Sequence, residues 1–301
     1  MKNRILASAL ALVLASGLAV SAAAEIPSSP ITSHKVSKIP VIDGKYDENE
    51  GWGEPVTVID SAKMNDYTSD AAYYGDKTLQ PESVKAYLRW DADHLYFCAV
   101  VVDPIHYNDN APEDYGSAWA GDGFQFDIKS LADEDTANRN RTFYGLTNEG
   151  KYCINVDMVE AGSMAEIAGG KGLWTANAIT RDEATKTTVY ETAWDLATAL
   201  PDGSVLEGDE LLVRPILLCT KDAATEDIVD VNFAGIDAGS YLYWKVSLAG
   251  IPEAELVVEE PATEAEVVED VAAAPATFDA GVIAAVAAIV SAAGYAISKK
   301  H

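Results

Sequence analysis

The residue types that most often carry chemistry are thinly spread in this chain. Of its four histidines, His34 lies near the start and His301 is the last residue, which leaves only His94 and His106 in the body of the sequence. That scarcity disfavours a multi-histidine metal site and weakens any histidine-based catalytic triad. Carboxylates pose the opposite problem. With 48 Asp and Glu residues, any two can be drawn as a glycosidase dyad, so such a pairing carries little information. The sequence contains no phosphate-binding P-loop, no G-x-G-x-x-G, no H-E-x-x-H and no G-x-S-x-G. Its three cysteines, Cys98, Cys153 and Cys219, sit in apolar runs (LYFCAVV, KYCINV, ILLCT) and read as buried small hydrophobes. An odd count excludes a complete internal disulfide framework and leaves room for one bridge.

The elements that must position any site are short strands. Val84 to Trp90 alternates with period two, Asp91-Ala92-Asp93 is a tight turn, and His94 to Val102 is β-branched and aromatic, together a hairpin. Further strands are predicted at Phe124–Ile128, Lys151–Val156, Asn177–Thr180, Thr187–Thr192, Leu211–Thr220 and Tyr241–Leu248, with one short helical pattern at Trp194–Leu200. Strands at such spacing predict an all-β fold, an antiparallel β-sandwich. Three long stretches, Asp60–Pro81, Ile105–Ala120 and Leu131–Arg141, are rich in Asp, Asn, Gly and Tyr. Loops of that length in a compact domain tend to be functional.

Both ends of the chain read as addresses. Met1-Lys2-Asn3-Arg4, an apolar run to Val20 and Ser21-Ala22-Ala23-Ala24 make a secretory signal peptide over residues 1–24. The uncharged run GVIAAVAAIVSAAGYAI, followed by Lys299-Lys300, predicts a single transmembrane anchor over 277–298 and a cytoplasmic tail at 299–301. Between them, residues 252–276 hold eight acidic residues and no basic ones, a self-repelling linker. One domain of about 225 residues remains, 25–251. The whole chain carries −27; the leader contributes +2, the linker −8 and the C-terminal stretch +1, which leaves −22 on the domain. So acidic a surface repels nucleic acid and anionic lipid, and suits neutral ligands and bound cations such as calcium. The layout predicts an exported protein with its domain outside the cell membrane.

Four segments resemble, in order, the motifs of family 9 carbohydrate-binding modules. They are Val41-Ile42-Asp43-Gly44 with Asp47 and Trp52; Leu88-Arg89-Trp90-Asp91 with Leu95-Tyr96 and Val101-Val102-Asp103-Pro104; Trp119-Ala120-Gly121-Asp122 leading into Phe124-Gln125-Phe126-Asp127; and Tyr190-Glu191-Thr192-Ala193-Trp194. They span about Val41 to Leu248. The resemblance implies a β-sandwich that binds sugars between aromatic side chains, often with structural calcium. It places Trp119 as one aromatic of the sugar clamp. An indole packs on the C–H face of a pyranose while polar groups bond its hydroxyls, and the flanking Ser117-Ala118 and Gly121 suit an exposed ring. The other tryptophans of the motifs, Trp52, Trp90 and Trp194, read as core.

Two departures bear on the site. The loop 235–240 lacks the family's second tryptophan, so Phe233, Tyr241 or Tyr243 is left to replace it. Gln125 stands where the family has a ligand-binding glutamate. Asp43, Asp103 and Asp122 are candidate calcium ligands, each equally readable as a turn cap. The expected ligand is an oligosaccharide or glycan and the expected role non-catalytic. Three other classes stay open: a surface glycosidase using paired carboxylates, a related haem-binding DOMON-type redox module using Met64, Met158, His94 or His106 as axial ligands, and a purely structural surface protein or an accessory subunit of a transporter.

Overall fold

The computed structural model describes residues 28–68, 77–110, 118–131, 141–157, 174–200, 205–220, 228–237 and 240–256. The leader, the anchor, the tail and most of the linker lie outside the described residues, as do the middles of the three long loops. No helix among the described residues is long and apolar enough to cross a membrane.

The strands are β1 (Ser28–Lys35), β2 (Thr57–Asp60), β3 (Ser83–Trp90), β4 (His94–Val102), β5 (Gly123–Ser130), β6 (Arg141–Leu146), β7 (Tyr152–Asp157), β8 (Trp174–Asp182), β9 (Thr187–Asp195), β10 (Glu210–Thr220), β11 (Ile228–Asn232), β12 (Ile236–Asp237), β13 (Ser240–Tyr241) and β14 (Tyr243–Ala249). All but the β12–β13 hairpin join one hydrogen-bonded path, β7-β6-β5-β10-β14-β1-β3-β4-β9-β8, with β11 beside β10 and β2 beside β3. The path folds over on itself. Phe97 of β4 meets Phe124 and Phe126 of β5 at ring separations of 5.4 and 4.9 Å, and Phe126 stacks on Trp194 of β9 at 4.7 Å. The β3-β4-β9-β8 half and the β7-β6-β5-β10-β14 half thus close over a shared aromatic core, the sandwich arrangement expected.

The expectation of a wholly antiparallel sheet needs correction at β1. It runs parallel to β14 from Ser28↔Tyr243 to His34↔Ala249, and parallel to β3 at His34↔Arg89 and Lys35↔Trp90. This strand, SSPITSHK, joins the two halves. Its Pro30 lacks an N–H, and it falls where β1 has β14 alone beside it, so no ladder bond is forfeited on a second side. The short helix is also smaller than its pattern. Only Leu196–Ala199 is helical, because Trp194 stays in β9 opposite Leu95 and is buried.

The run HLYFCAVVV is apolar throughout because both of its faces are covered. Leu95, Phe97, Ala99 and Val101 enter the main core, while Tyr96 and Cys98 join Trp52, Tyr87 and Ala193 in a second cluster on the other face. Trp52, Trp90, Trp174, Trp194 and Trp244 are all buried. The three cysteines are free and buried.

At the far end of the domain the chain stays packed beyond Ile251. Glu253–Glu255 forms one 3-10 turn. Glu255 takes a bond from Arg89 Nη2 at 2.5 Å and one from Ser37 Oγ at 2.9 Å. The Arg89 side chain is 4% exposed and also donates through Nε to the Trp52 carbonyl at 2.8 Å. Removing the carboxylate withdraws a charge-assisted bond from a buried guanidinium, so Glu255→Ala should cost about 2 kcal/mol in urea unfolding. An unchanged midpoint would mean that residues 252–256 do not hold to the domain.

Candidate functional site

The alternation of β5 sends Phe124, Phe126 and Ile128 into the core and turns Gln125, Asp127 and Lys129 to the opposite face. On that outer face Phe143 of β6, Cys153 of β7, Ile216 and Leu218 of β10 and Ile228 of β11 form a small apolar floor, and Trp119 and Tyr241 pack against it. Of these, Phe143, Leu218, Ile228, Trp119 and Tyr241, together with Gln125, Arg141 and Asp230, line a cavity of about 220 Å³. At roughly 30 Å³ per liquid water, it holds the volume of about seven waters.

Each wall is held by the fold. Trp119 sits on the 3-10 turn Ala118–Ala120. The buried Asp122 that follows accepts bonds from Thr220 N at 2.7 Å and Tyr107 N at 3.2 Å, which ties that turn to β10 and to the 105–110 stretch. Tyr241 ends the β12–β13 hairpin, where Ile236 pairs with Tyr241, and its hydroxyl donates to Asp230 Oδ2 at 2.7 Å. Burial pushes the Asp230 carboxyl up, and the Tyr241 bond opposes the shift. Beneath Gln125, Asp127 is fully buried; it accepts from Arg214 Nε at 2.6 Å and, more weakly, from Gln125 Nε2 at 3.4 Å. The Arg214 guanidinium lies 4.5 Å from the Tyr243 ring centroid.

Trp119, Gln125 and Tyr241, chosen from the sequence, therefore meet at one cavity. Phe233 does not. It is 1% exposed, lies 5.2 Å from the Phe124 ring and accepts the Trp244 indole N–H on its carbonyl. Its parity explains this correction, since Val229, Val231 and Phe233 point inward while Ile228 and Asp230 point outward. Tyr243, the other substitute considered, is buried at 3% exposure beneath Arg214. Arg141 and Asp230 were missed. The alternating Ile228-Val229-Asp230-Val231 carried the signal for Asp230, had that run been read as a strand.

The three calcium candidates do not form one coordination sphere, and no group of three His, Cys, Asp or Glu side chains placed to hold a metal occurs among the described residues. Asp122 is spent on backbone N–H donors, Asp103 Oδ1 accepts from Ile105 N at 3.0 Å, and Asp43 Oδ1 caps Lys45 N at 2.9 Å. The haem candidates are likewise engaged. Met64 is core, His94 Nδ1 lies 3.3 Å from Asp91, and His106 faces the Leu146 carbonyl at 2.9 Å and Asp122 at 3.4 Å; Met158 lies outside the described residues.

Buried carboxyls give the domain an unusual pH response. Burial, with Asp122 nearby, pushes Asp103 up to about 7. Burial likewise pushes Glu191 to about 7, against the bonds its Oε2 accepts from Asp43 N at 3.0 Å and Gly44 N at 2.7 Å. Between about pH 4 and 7 the folded state keeps these protons and the unfolded chain does not, so stability falls as pH rises, with a slope approaching 1.4 kcal/mol per pH unit for each such group. The exposed carboxyls held low, such as Glu183 at about 2, act below that window. Urea unfolding should therefore show greater stability at pH 5 than at pH 7; the reverse order would mean that Asp103 and Glu191 are ionised in the fold.

No family model and no curated protein matches the chain. Among solved structures, the chain is similar to family 9 carbohydrate-binding modules. One, from Caldicellulosiruptor kristjanssonii in complex with cellotriose, is 16% identical, covers 77% of this chain and 100% of its own, and has a TM-score of 0.46. Another from the same organism, in complex with glucose, is 16% identical, covers 74% of this chain and 97% of its own, and has a TM-score of 0.43. The likeness is one of strand arrangement.

Proposed function

We propose that this domain is a non-catalytic carbohydrate-binding module that holds one ring of a soluble oligosaccharide between Trp119 and Tyr241. The observation that carries the reading is the convergence of Trp119 and Gln125, from one segment, and Tyr241, from another distant in sequence, on one outward cavity of about 220 Å³. The indole offers an apolar face to ring C–H groups, while the Gln125 amide, Asp230 and Arg141 supply hydrogen-bonding groups for hydroxyls. Specific sites of this kind combine an apolar platform with a few placed polar groups. Among the described residues the cavity is lined by a single carboxylate, Asp230, already bonded to Tyr241. A glycosidase needs two, which favours binding over hydrolysis.

We also read the chain as exported and tethered at the outer face of a membrane, on the strength of its two ends. Leu218 at the cavity lies eight residues along β10 from Glu210, which pairs with Ser247 near the chain's exit. At about 3.3 Å per residue this is roughly 26 Å along the strand, which separates the cavity from the end of the domain where β14 finishes. With residues 252–256 held to the domain, a flexible linker of about 20 residues reaches roughly 22–27 Å. That reach favours soluble sugars or glycans arriving at the membrane over a distant polymer. Calorimetry of residues 25–257 with a panel of mono- and oligosaccharides, glucose and cellotriose among them, tests the reading. Saturable binding without release of reducing sugar supports it; no binding across the panel, or hydrolysis, overturns it.

A further inference from the structure

Two asparagines, Asn108 and Asn232, are completely buried, with 0% exposure each. Neither lines the cavity, and neither follows from any motif in the sequence. Yet each lies beneath one of its aromatic walls.

Asn232 ends β11. Its Nδ2 donates to two carbonyls, Gly235 at 2.9 Å and Leu242 at 3.0 Å, while Oδ1 accepts from Ala234 N at 3.1 Å. Gly235 and Leu242 flank the β12–β13 hairpin, one on each side, and Leu242 directly follows Tyr241. The backbone closes the same ring, with Gly235 N donating to the Asn232 carbonyl at 2.8 Å and Leu242 N to the Gly235 carbonyl at 3.0 Å. Gly235 turns at φ +90°, a region open to glycine and strained for other residues. One amide thus ties both legs of the hairpin that presents Tyr241.

Asn108 does the equivalent under Trp119. Its Nδ2 donates to the Asp122 carbonyl at 2.9 Å and approaches Cys153 Sγ at 3.2 Å, while Oδ1 accepts from Asn110 N at 3.2 Å and Asn110 Nδ2 at 3.0 Å. The amide is slotted between two glycines. A Cβ on Gly121 would stand 2.5 Å from Asn108 Cγ, and one on Gly145 would stand 2.8 Å from its Nδ2. Gly121 and Asp122 directly follow the turn that carries Trp119.

We propose that Asn108 and Asn232 are a pair of positioning residues that separately set the two walls of the cavity, Asn108 the Trp119 wall and Asn232 the Tyr241 wall, and so fix the width of the slot. Both walls depend on amide donors aimed at backbone carbonyls. Aspartate has the same shape and lacks those donors. What the slot receives rests on the carbohydrate reading; how it is held does not.

The test uses the mature full-length protein in detergent, labelled with 5-fluorotryptophan or 3-fluorotyrosine and observed by fluorine NMR. Trp119→Phe and Tyr241→Phe identify the two resonances by their disappearance. Asn108→Asp should move or broaden the Trp119 resonance and spare the other five tryptophans and Tyr241. Asn232→Asp should move the Tyr241 resonance and spare Trp119. With a saccharide that the parent binds, each variant should lose about tenfold in affinity, the worth of about one supporting hydrogen bond, while unfolding remains a single transition. Where an Asp variant does not fold, Asn→Ser at the same position takes its place. Resonances unmoved in a folded variant, or all tryptophans moving together, overturn the proposal. If the resonances shift as expected but the parent binds no saccharide, the carbohydrate reading fails and the positioning roles stand.

Discussion

Replacing Trp119 with alanine is expected to weaken saccharide binding about 30-fold, with little effect on folding. A truncated aromatic anchor at a binding site typically costs about 2 kcal/mol, and each 1.4 kcal/mol is a factor of ten. Trp119 is partly buried and packs on the edge of the floor formed by Phe143, Ile216, Leu218 and their neighbours. Its loss should change unfolding by no more than about 1 kcal/mol. Phe233→Ala is the matching control. That ring is enclosed by Phe97, Phe124 and Trp244, and deleting a buried phenylalanine costs about 3–5 kcal/mol. Calorimetry and urea unfolding on the two variants should cross: Trp119→Ala loses ligand and keeps the fold, Phe233→Ala loses stability. Intact binding in Trp119→Ala would remove the indole from the site.

Asp127→Asn should give the largest loss of stability at the site, about 3–5 kcal/mol, the usual result of removing one partner from a buried pair. Asp127 is fully buried, and Arg214, with 11% of its side chain exposed, bonds it through both Nε and Nη2. Burial raises the Asp127 carboxyl, while Arg214 and then Arg141 draw it back towards the charged form. The neutral amide keeps the shape and deletes the charge. Affinity should fall as well, since Gln125 Nε2 reaches Asp127 at 3.4 Å and loses its orienting carboxylate. Urea unfolding measures the first effect and calorimetry the second. An apolar double replacement, Asp127→Leu with Arg214→Met, should recover much of the stability without the affinity, because a buried ion pair exchanged whole for hydrophobes is often neutral or better. A single variant as stable as the parent would show that the pair is not what holds this face.

Much of this architecture is legible in local pattern. The hairpin of β3 and β4 follows from two strand-forming runs around Asp91-Ala92-Asp93, and Trp90 pairs with Leu95 across that turn. Small residues and a polar loop surround Trp119, whereas Trp90 ends a period-two run. These are properties of neighbours along the chain, and short-range sterics and side-chain alternation act at that range. The parallel placement of β1, the burial of Phe233 and the arrival of Arg141 at the cavity had no such local cause, and the alternation around Asp230 marks its face without marking its neighbours. Each depends on which strand lies alongside and which face it turns: β1 carries one large apolar residue, Ile31, and takes its position from β14 and β3, and Phe233 takes its inward direction from the register of β11 on β10. Residue types and their alternation therefore determined most of the long strands, and the motif resemblance pointed to three of the cavity residues. Pairing between segments distant in sequence, where one step of register exchanges the buried face for the exposed one, decided which side chains share the cavity.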